Sequence, residues 1–259
     1  MADKCYKCFR PMETCYCKYI KQIETGIKFI FLIHPKEAYK QKTGTGRLAH
    51  LSLPDSELVI GVDFTRNKRI RELLSDERYF PVVMYPGEDA WTAGGVRETA
   101  PHTLKEAMGE KQLLVFLVDA TWACAKKMLR LSPNITSLQK ISFTAGYRSE
   151  YTFKKEPAED YLSTIETCYY LIKELQSAGI CPSEKPENSA EPLMDVFRRM
   201  VKFQIESQKE REAAGLPDRY QVAGGIRAKR RALREARARE GCAGETRAGN
   251  PKAAENHPS

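Results

Sequence analysis

Residues 113–118, Leu-Leu-Val-Phe-Leu-Val, are an unbroken apolar run that stops at Asp119. A strand with one wet face carries a polar residue at every second position. Six apolar residues in succession fit a strand buried on both faces, the pattern of parallel sheets covered by helices on each side. The run passes into Ala120-Thr121-Trp122, so a carboxylate, a hydroxyl and an indole stand where a buried strand ends.

Comparable runs recur along the chain. "GIKFIFLIH" (26–34), "SELVIGVDF" (56–64), "FPVVMYPGEDA" (80–90, stopped by Pro86-Gly87) and "LQKISF" (138–143) read as four further strands. "NKRIRELLSDERY" (67–79) has helical spacing at Ile70, Leu73 and Leu74, and "TLKEAMGE" (103–110) reads as a short helix. A helix is expected from about Thr121 through "KMLRLS" (127–132), and another over "YLSTIETCYYLIKELQSAG" (161–179), with Gly179 as its C-cap. The alternation predicts an α/β domain with a mostly parallel sheet flanked by helices. In such sheets ligands bind outside the carboxyl ends of the strands. His34-Pro35, Tyr85-Pro86-Gly87 and Asp119-Ala120-Thr121-Trp122 each follow a predicted strand, and so are expected to meet along one edge.

Four of the eight cysteines lie in the first seventeen residues, as Cys5-x2-Cys8-x6-Cys15-x1-Cys17. Two tight thiol pairs match tetrahedral zinc with all four positions filled by protein, hence a structural site; the alternative is a reduced, unliganded cluster. The knuckle is too small to have a hydrophobic core of its own. Cys124, Cys168, Cys181 and Cys242 are scattered and read as small buried hydrophobes or, in the tail, an exposed thiol.

The chain of 259 residues is long enough for one main domain with appendages. After the polar, Pro-rich connection 181–192, residues 193–215 carry Leu193, Val196, Phe197, Met200, Val201 and Ile205 at helical spacing, a stripe that packs on a main domain. The net charge of +8 is uneven: "RAKRRALREARAR" (227–239) contributes +6, from seven basic residues and one glutamate. That segment reads either as a solubilising exposed helix or as a contact for nucleic-acid phosphates. The last eighteen residues are small and polar and are expected to be disordered. No stretch approaches the ~20 apolar residues of a membrane helix, and the start, "MADKCYKC", lacks the apolar region of a secretory signal; a cytoplasmic protein without membrane contact is expected.

Five separated segments resemble, in order and spacing, the DTW-domain family of tRNA-uridine aminocarboxypropyltransferases. They are "CYKCFRPMETCYC" (5–17), "HPKEAYKQKTGTGRLAHL" (34–51), "MYPGEDA" (84–90), "DATW" (119–122) and "SEYTFKKEPAEDYLSTIET" (149–167). Gly44 stands where the family pattern has asparagine, and the basic extension from about residue 219 is additional to the domain. The resemblance implies a SPOUT-like, knotted catalytic domain over 21–215; the cysteine spacing sets a zinc knuckle over 1–20 before it, and the composition a basic tail over 216–259 after it. The resemblance also implies S-adenosylmethionine as donor and transfer of its 3-amino-3-carboxypropyl group to N3 of a tRNA uridine, releasing methylthioadenosine. Two alternatives stand beside this reaction: an S-adenosylmethionine-dependent RNA methyltransferase, and a non-catalytic, zinc-containing RNA-binding protein. Most SPOUT enzymes dimerise, but the extensions could cover that surface, so the oligomeric state stays open.

The resemblance also distributes roles. His34, Tyr85, Pro86, Gly87, Thr121, Trp122, Ile141, Ser142 and Phe143 fall to the donor. Thr45, Arg47, Ser149, Tyr151, Ser163, Thr164 and Glu166 fall to the acceptor, with Cys5, Cys8, Cys15 and Cys17 on the metal and Asp119 as general base. Several alternatives stand beside these. Asp119 directly precedes a predicted helix, and an N-cap is its alternative role. Trp122 suits either stacking on a nucleobase or packing in the core. Arg47 suits an anion or a surface salt bridge, and Ser163, Thr164 and Glu166 suit a capping role at the start of their helix.

Overall fold

The computed structural model describes residues 3–40, 44–87, 89–93, 102–144, 146–151, 162–181 and 190–216. Among them β1 (Lys28–Ile33), β2 (Ser56–Ile60), β3 (Tyr79–Met84), β4 (Trp91–Thr92), β5 (Gln112–Asp119) and β6 (Gln139–Ser142) make one sheet. Its order is β2-β1-β5-β3-β6-β4, and every neighbouring pair is parallel. The five expected strands are present, β3 starting one residue before its predicted segment and β5 extending one residue beyond its apolar run at each end. The two-residue edge strand β4 is an addition that its sequence, between a turn and a Gly-rich stretch, did not announce.

The helices are α1 (Pro35–Lys40), α2 (Thr45–Ser52), α3 (Lys68–Ser75), α4 (Leu104–Met108), α5 (Trp122–Leu131), α6 (Pro133–Thr136), α7 (Thr164–Ser177) and α8 (Glu191–Ala213). Their ends follow local chemistry. Asn67 caps α3 by accepting from the Ile70 amide at 3.0 Å, and Thr103 with Glu106 forms a capping box on α4. Gly179, at φ 68°, closes α7 as expected, with the Ile180 amide donating to the Leu175 carbonyl at 3.0 Å.

The central strands explain the apolar runs. All six residues of β1 and residues 113–117 of β5 are buried, because both strands lie inside the sheet and both faces are covered. Ile30, Leu32, Leu114 and Phe116 meet Ile70 and Leu73 of α3, Met128 of α5 and Ile135 of α6 on one face. Phe29 and Phe31 occupy the other face of β1, their rings stacked at 6.3 Å, where α2 packs on β1 and β2 and against α7.

Residues Met1–Phe203 form one compact unit and Gln204–Ser259 a second. In the first, Leu193, Val196, Phe197, Met200 and Val201 of α8 are buried, as the stripe predicts. The described part of the second, 204–216, holds the C-terminal turns of α8 and Gly215 in a left-handed conformation. The basic segment 227–239 and the last eighteen residues lie outside the described residues, as does most of 181–192. No helix among the described residues is long and apolar enough to cross a membrane.

Phe116 is fully buried at the centre of the sheet. Phe116→Ala removes about 3–5 kcal/mol of unfolding free energy by the usual cavity cost. Urea denaturation measures it, and a loss under about 1 kcal/mol contradicts the core described above.

Candidate functional site

Parallel register brings the predicted segments together. Ile33 of β1 pairs with Asp119 of β5, Val83 of β3 pairs with Phe116, and Met84 pairs with Ile141 of β6, so all four strands end at one edge. Beyond that edge lies a cleft of about 410 Å³. Met84, Tyr85 and Pro86 line one side, Val118, Ala120, Thr121 and Trp122 another, and Ser142, Phe143, Leu162, Thr164 and Thr167 a third.

Of the nine residues expected at the donor, Tyr85, Pro86, Thr121, Trp122, Ser142 and Phe143 line this cleft; His34, Gly87 and Ile141 do not. Ile141 is fully buried in β6. Gly87 turns the chain tightly past Asp89 and Lys140: a Cβ there would stand 2.7 Å from Asp89 Oδ1. His34 is 9% exposed, and its Nδ1 accepts from the Lys36 amide at 3.1 Å. Burial first, then the charges of Lys36 and Lys127, hold the His34 imidazole below its ordinary pKa and so neutral.

Thr121 occupies the N-cap position of α5 and places Trp122 in the first turn. The indole is 40% exposed and faces the cleft, not the core. Lys126, one turn on, lies with Nζ 5.0 Å from the ring centroid and also lines the cleft. Lys126 and Thr167 were missed from the sequence, yet each follows an identified residue, Trp122 or Thr164, by one helical turn. The Phe143 wall is braced by α7: Glu174 accepts from the Thr144 amide at 3.0 Å and from the Tyr147 hydroxyl at 2.8 Å, and Tyr147 stacks on Tyr170 at 3.8 Å.

Asp119 points to the other side of β5. With Cys8, Arg10, Glu37, Gly44 and Arg47 it lines a second, smaller pocket beneath the cysteine knuckle. Its Oδ1 accepts from the Thr164 hydroxyl at 3.0 Å, and Thr164 also lines the cleft, so one hydroxyl joins the two cavities. Oδ2 lies against the first turn of α2, where a Cβ on Gly46 would come within 2.2 Å of it. The helix that presses on this carboxylate is therefore α2, not α5.

The residues expected at the acceptor separate into two groups. Arg47 lines the smaller pocket, donates from Nη2 to the Ala38 carbonyl at 3.3 Å and lies 4.0 Å over the Phe9 ring. Burial lowers its pKa, which Asp119 and then Cys8 oppose. Thr45 is buried at the start of α2. Ser149, Tyr151, Ser163 and Glu166 form a scaffold behind the cleft. Glu166 is fully buried and accepts from Ser149 Oγ at 2.8 Å and from the amides of Glu150 at 2.6 Å and Ser163 at 2.8 Å, which is the capping role plus a tie to the preceding loop. Tyr151 stacks on Phe197 at 5.6 Å.

Cys5, Cys8, Cys15 and Cys17 converge with all four Sγ atoms within 4.8 Å of one another. Cys5 and Cys17 stand 3.7 Å apart and Cys8 and Cys15 3.6 Å. Thiolates bound to zinc at about 2.3 Å stand about 3.8 Å apart along a tetrahedral edge, so the donor set fits a metal ion. A hydrogen bond from the Cys8 amide brings the Cys5 thiol down to about 6, whereas burial raises Cys15 and Cys17. The knuckle docks on α8 through Tyr16, whose ring meets Phe203 edge-on at 6.4 Å, and through Tyr19, which Arg199 covers at 3.9 Å.

The fit of Gly46 against Asp119 gives a direct test. Gly46→Ala forces the carboxylate off Thr164 and costs about 1–3 kcal/mol of stability. Gly146→Ala, where a Cβ meets nothing within 4 Å, is the control and leaves stability unchanged. Thermal unfolding of the two variants checks this, and equal midpoints contradict the contact.

A family model for the DTW domain matches residues 2–205. The Drosophila melanogaster protein named tRNA-uridine aminocarboxypropyltransferase 2 is 25% identical over 213 residues, covering 79% of this chain and 76% of its own length. No solved structure matches. The match takes in the knuckle, the whole sheet, both pockets and α8 to Ile205, and the chain belongs to the DTW-domain family.

Proposed function

We propose that the protein transfers the 3-amino-3-carboxypropyl group of S-adenosylmethionine to N3 of a uridine in tRNA. The observation that carries this reading is the pair of cavities on opposite sides of the end of β5, linked by the Thr164 hydroxyl. Membership in the DTW family and the name of the Drosophila melanogaster relative support the reaction. A SPOUT-like, knotted chain path belongs to the same reading, in keeping with the all-parallel sheet.

In this account the cleft takes the nucleoside part of the donor. The indole of Trp122 offers a face for adenine, and Phe143 and Leu162 exclude water around it. The sulfonium has three electrophilic carbons, and binding geometry selects the one presented to the acceptor. With the adenosine in the cleft, the aminocarboxypropyl arm runs past Thr164 toward Asp119 and the cationic Arg47. Uridine N3 then approaches from the knuckle side. Asp119 takes the N3 proton as the carbon–nitrogen bond forms; the carbon–sulfur bond breaks, and its electron pair leaves with methylthioadenosine. The knuckle metal is zinc in this reading. Closed by four thiolates, it fixes the Cys8–Arg10 turn against α2 and carries no step of the reaction.

Incubation with unmodified tRNA and S-adenosylmethionine, followed by mass spectrometry of nucleosides and small molecules, tests the reading. The expected result is a uridine heavier by the aminocarboxypropyl group, together with methylthioadenosine. A methylated nucleoside with S-adenosylhomocysteine contradicts it. Asp119→Asn keeps an acceptor for Thr164 but removes the base, so turnover falls about 100-fold or more while tRNA binding is retained. Trp122→Ala weakens donor binding by about 1–3 kcal/mol in calorimetry, with no effect on tRNA affinity.

A further inference from the structure

The knuckle carries a phenylalanine at a turn position whose backbone geometry favours glycine. Phe9 follows the second cysteine of the first pair and has φ 57°, a positive φ that no other non-glycine residue shows among those described. Its amide donates to the Cys5 carbonyl at 2.8 Å, which closes the metal-binding turn. Glycine satisfies that geometry without strain, whereas a phenylalanine there is held against its own backbone preference. The residue is only half-buried, at 50% exposed, so core packing does not explain the choice.

What the ring does touch is Arg47. The guanidinium lies 4.0 Å over it and is held by the Ala38 carbonyl, so the cation is fixed over an aromatic face at the Asp119 pocket. A planar cation over a half-exposed aromatic ring, next to a carboxylate placed for proton removal, has the chemistry of a single-stranded nucleic-acid platform: a π face for an unpaired base, and a guanidinium for a phosphate or a base face. Strain of this kind persists where function requires it.

We propose that Phe9 and Arg47 form the acceptor platform, on which an unpaired base of the tRNA stacks so that the target uridine reaches Asp119 from the knuckle side. This deepens the proposed function and rests on its tRNA acceptor. It makes the metal knuckle a wall of the substrate site, with Phe9 as a positioning residue for Arg47 and a stacking surface in its own right.

The test uses the full-length, metal-loaded protein and two RNA probes, an unmodified tRNA transcript and a fully paired RNA duplex. Phe9→Gly suits the turn better than phenylalanine and so spares the fold while deleting the ring. Phe9→Tyr keeps the ring. The expected outcome is that Phe9→Gly binds the transcript about tenfold more weakly, within the range for losing one stacked base, and the duplex as the wild type does. Zinc content and S-adenosylmethionine affinity stay unchanged, and Phe9→Tyr restores transcript binding. In the Arg47→Ala background, Phe9→Gly weakens binding by less than it does alone, because the two residues share one contact. Wild-type transcript affinity in Phe9→Gly overturns the proposal. Equal losses on transcript and duplex, loss of zinc, or failure of Phe9→Tyr to restore binding also overturn it. A wild-type protein that shows this binding pattern but forms no aminocarboxypropyl product removes the proposed reaction and leaves the platform standing.

Discussion

At the end of β5 successive side chains point to opposite faces of the sheet, and this alternation divides the site. Val118 and Ala120 line the large cleft, while Asp119 between them turns toward the knuckle. The Asp119 carboxylate accepts a hydrogen bond from Thr164 at the start of α7 and lies against the first turn of α2 at Gly46, two helices far apart in sequence. The contact sets how closely α2, which carries Arg47, approaches the sheet edge. Through Thr164 it also ties the cleft wall to the same atom. Much of the site's geometry rests on one oriented carboxylate.

The knuckle completes this arrangement from outside the sheet. Its four thiols converge in two pairs 3.6–3.7 Å apart, a donor set that fits a metal ion. The turn delivers Phe9 to Arg47, and Tyr16 to α8, spreading a small, coreless element over two helices of the main body. One cysteine cluster thereby organises both the attachment of the knuckle and one wall of the smaller pocket.

The amino-acid sequence makes the sheet legible because β1 and β5 are buried on both faces, and such strands show as unbroken apolar runs. The gathering of three strand ends followed from topology alone, and six of the nine expected donor residues do line the cleft. Helix α2 was not legible: Gly44 and Gly46 read locally as loop, and Gly46 is there because Asp119, 73 positions on, leaves no room for a side chain. Glu166 could be read as a capping residue from Ser163-x-x-Glu166, but its bonds to Ser149 and Glu150 come from a loop no local pattern connects to it. The knuckle's spacing announced the convergence of its four cysteines, whereas its docking on Arg47 depends on a positive φ at a phenylalanine, which composition does not reveal. Strand β4 has two residues, too few for any periodicity.

The central claim is that donor and acceptor meet across the end of β5, joined at Thr164. A structure determined with S-adenosylmethionine bound tests this most directly. The account predicts adenine in the cleft beside Trp122, with the aminocarboxypropyl arm passing Thr164 toward Asp119 and Arg47. Adenosine in the smaller pocket beneath the knuckle, or an arm directed away from Asp119, would contradict it.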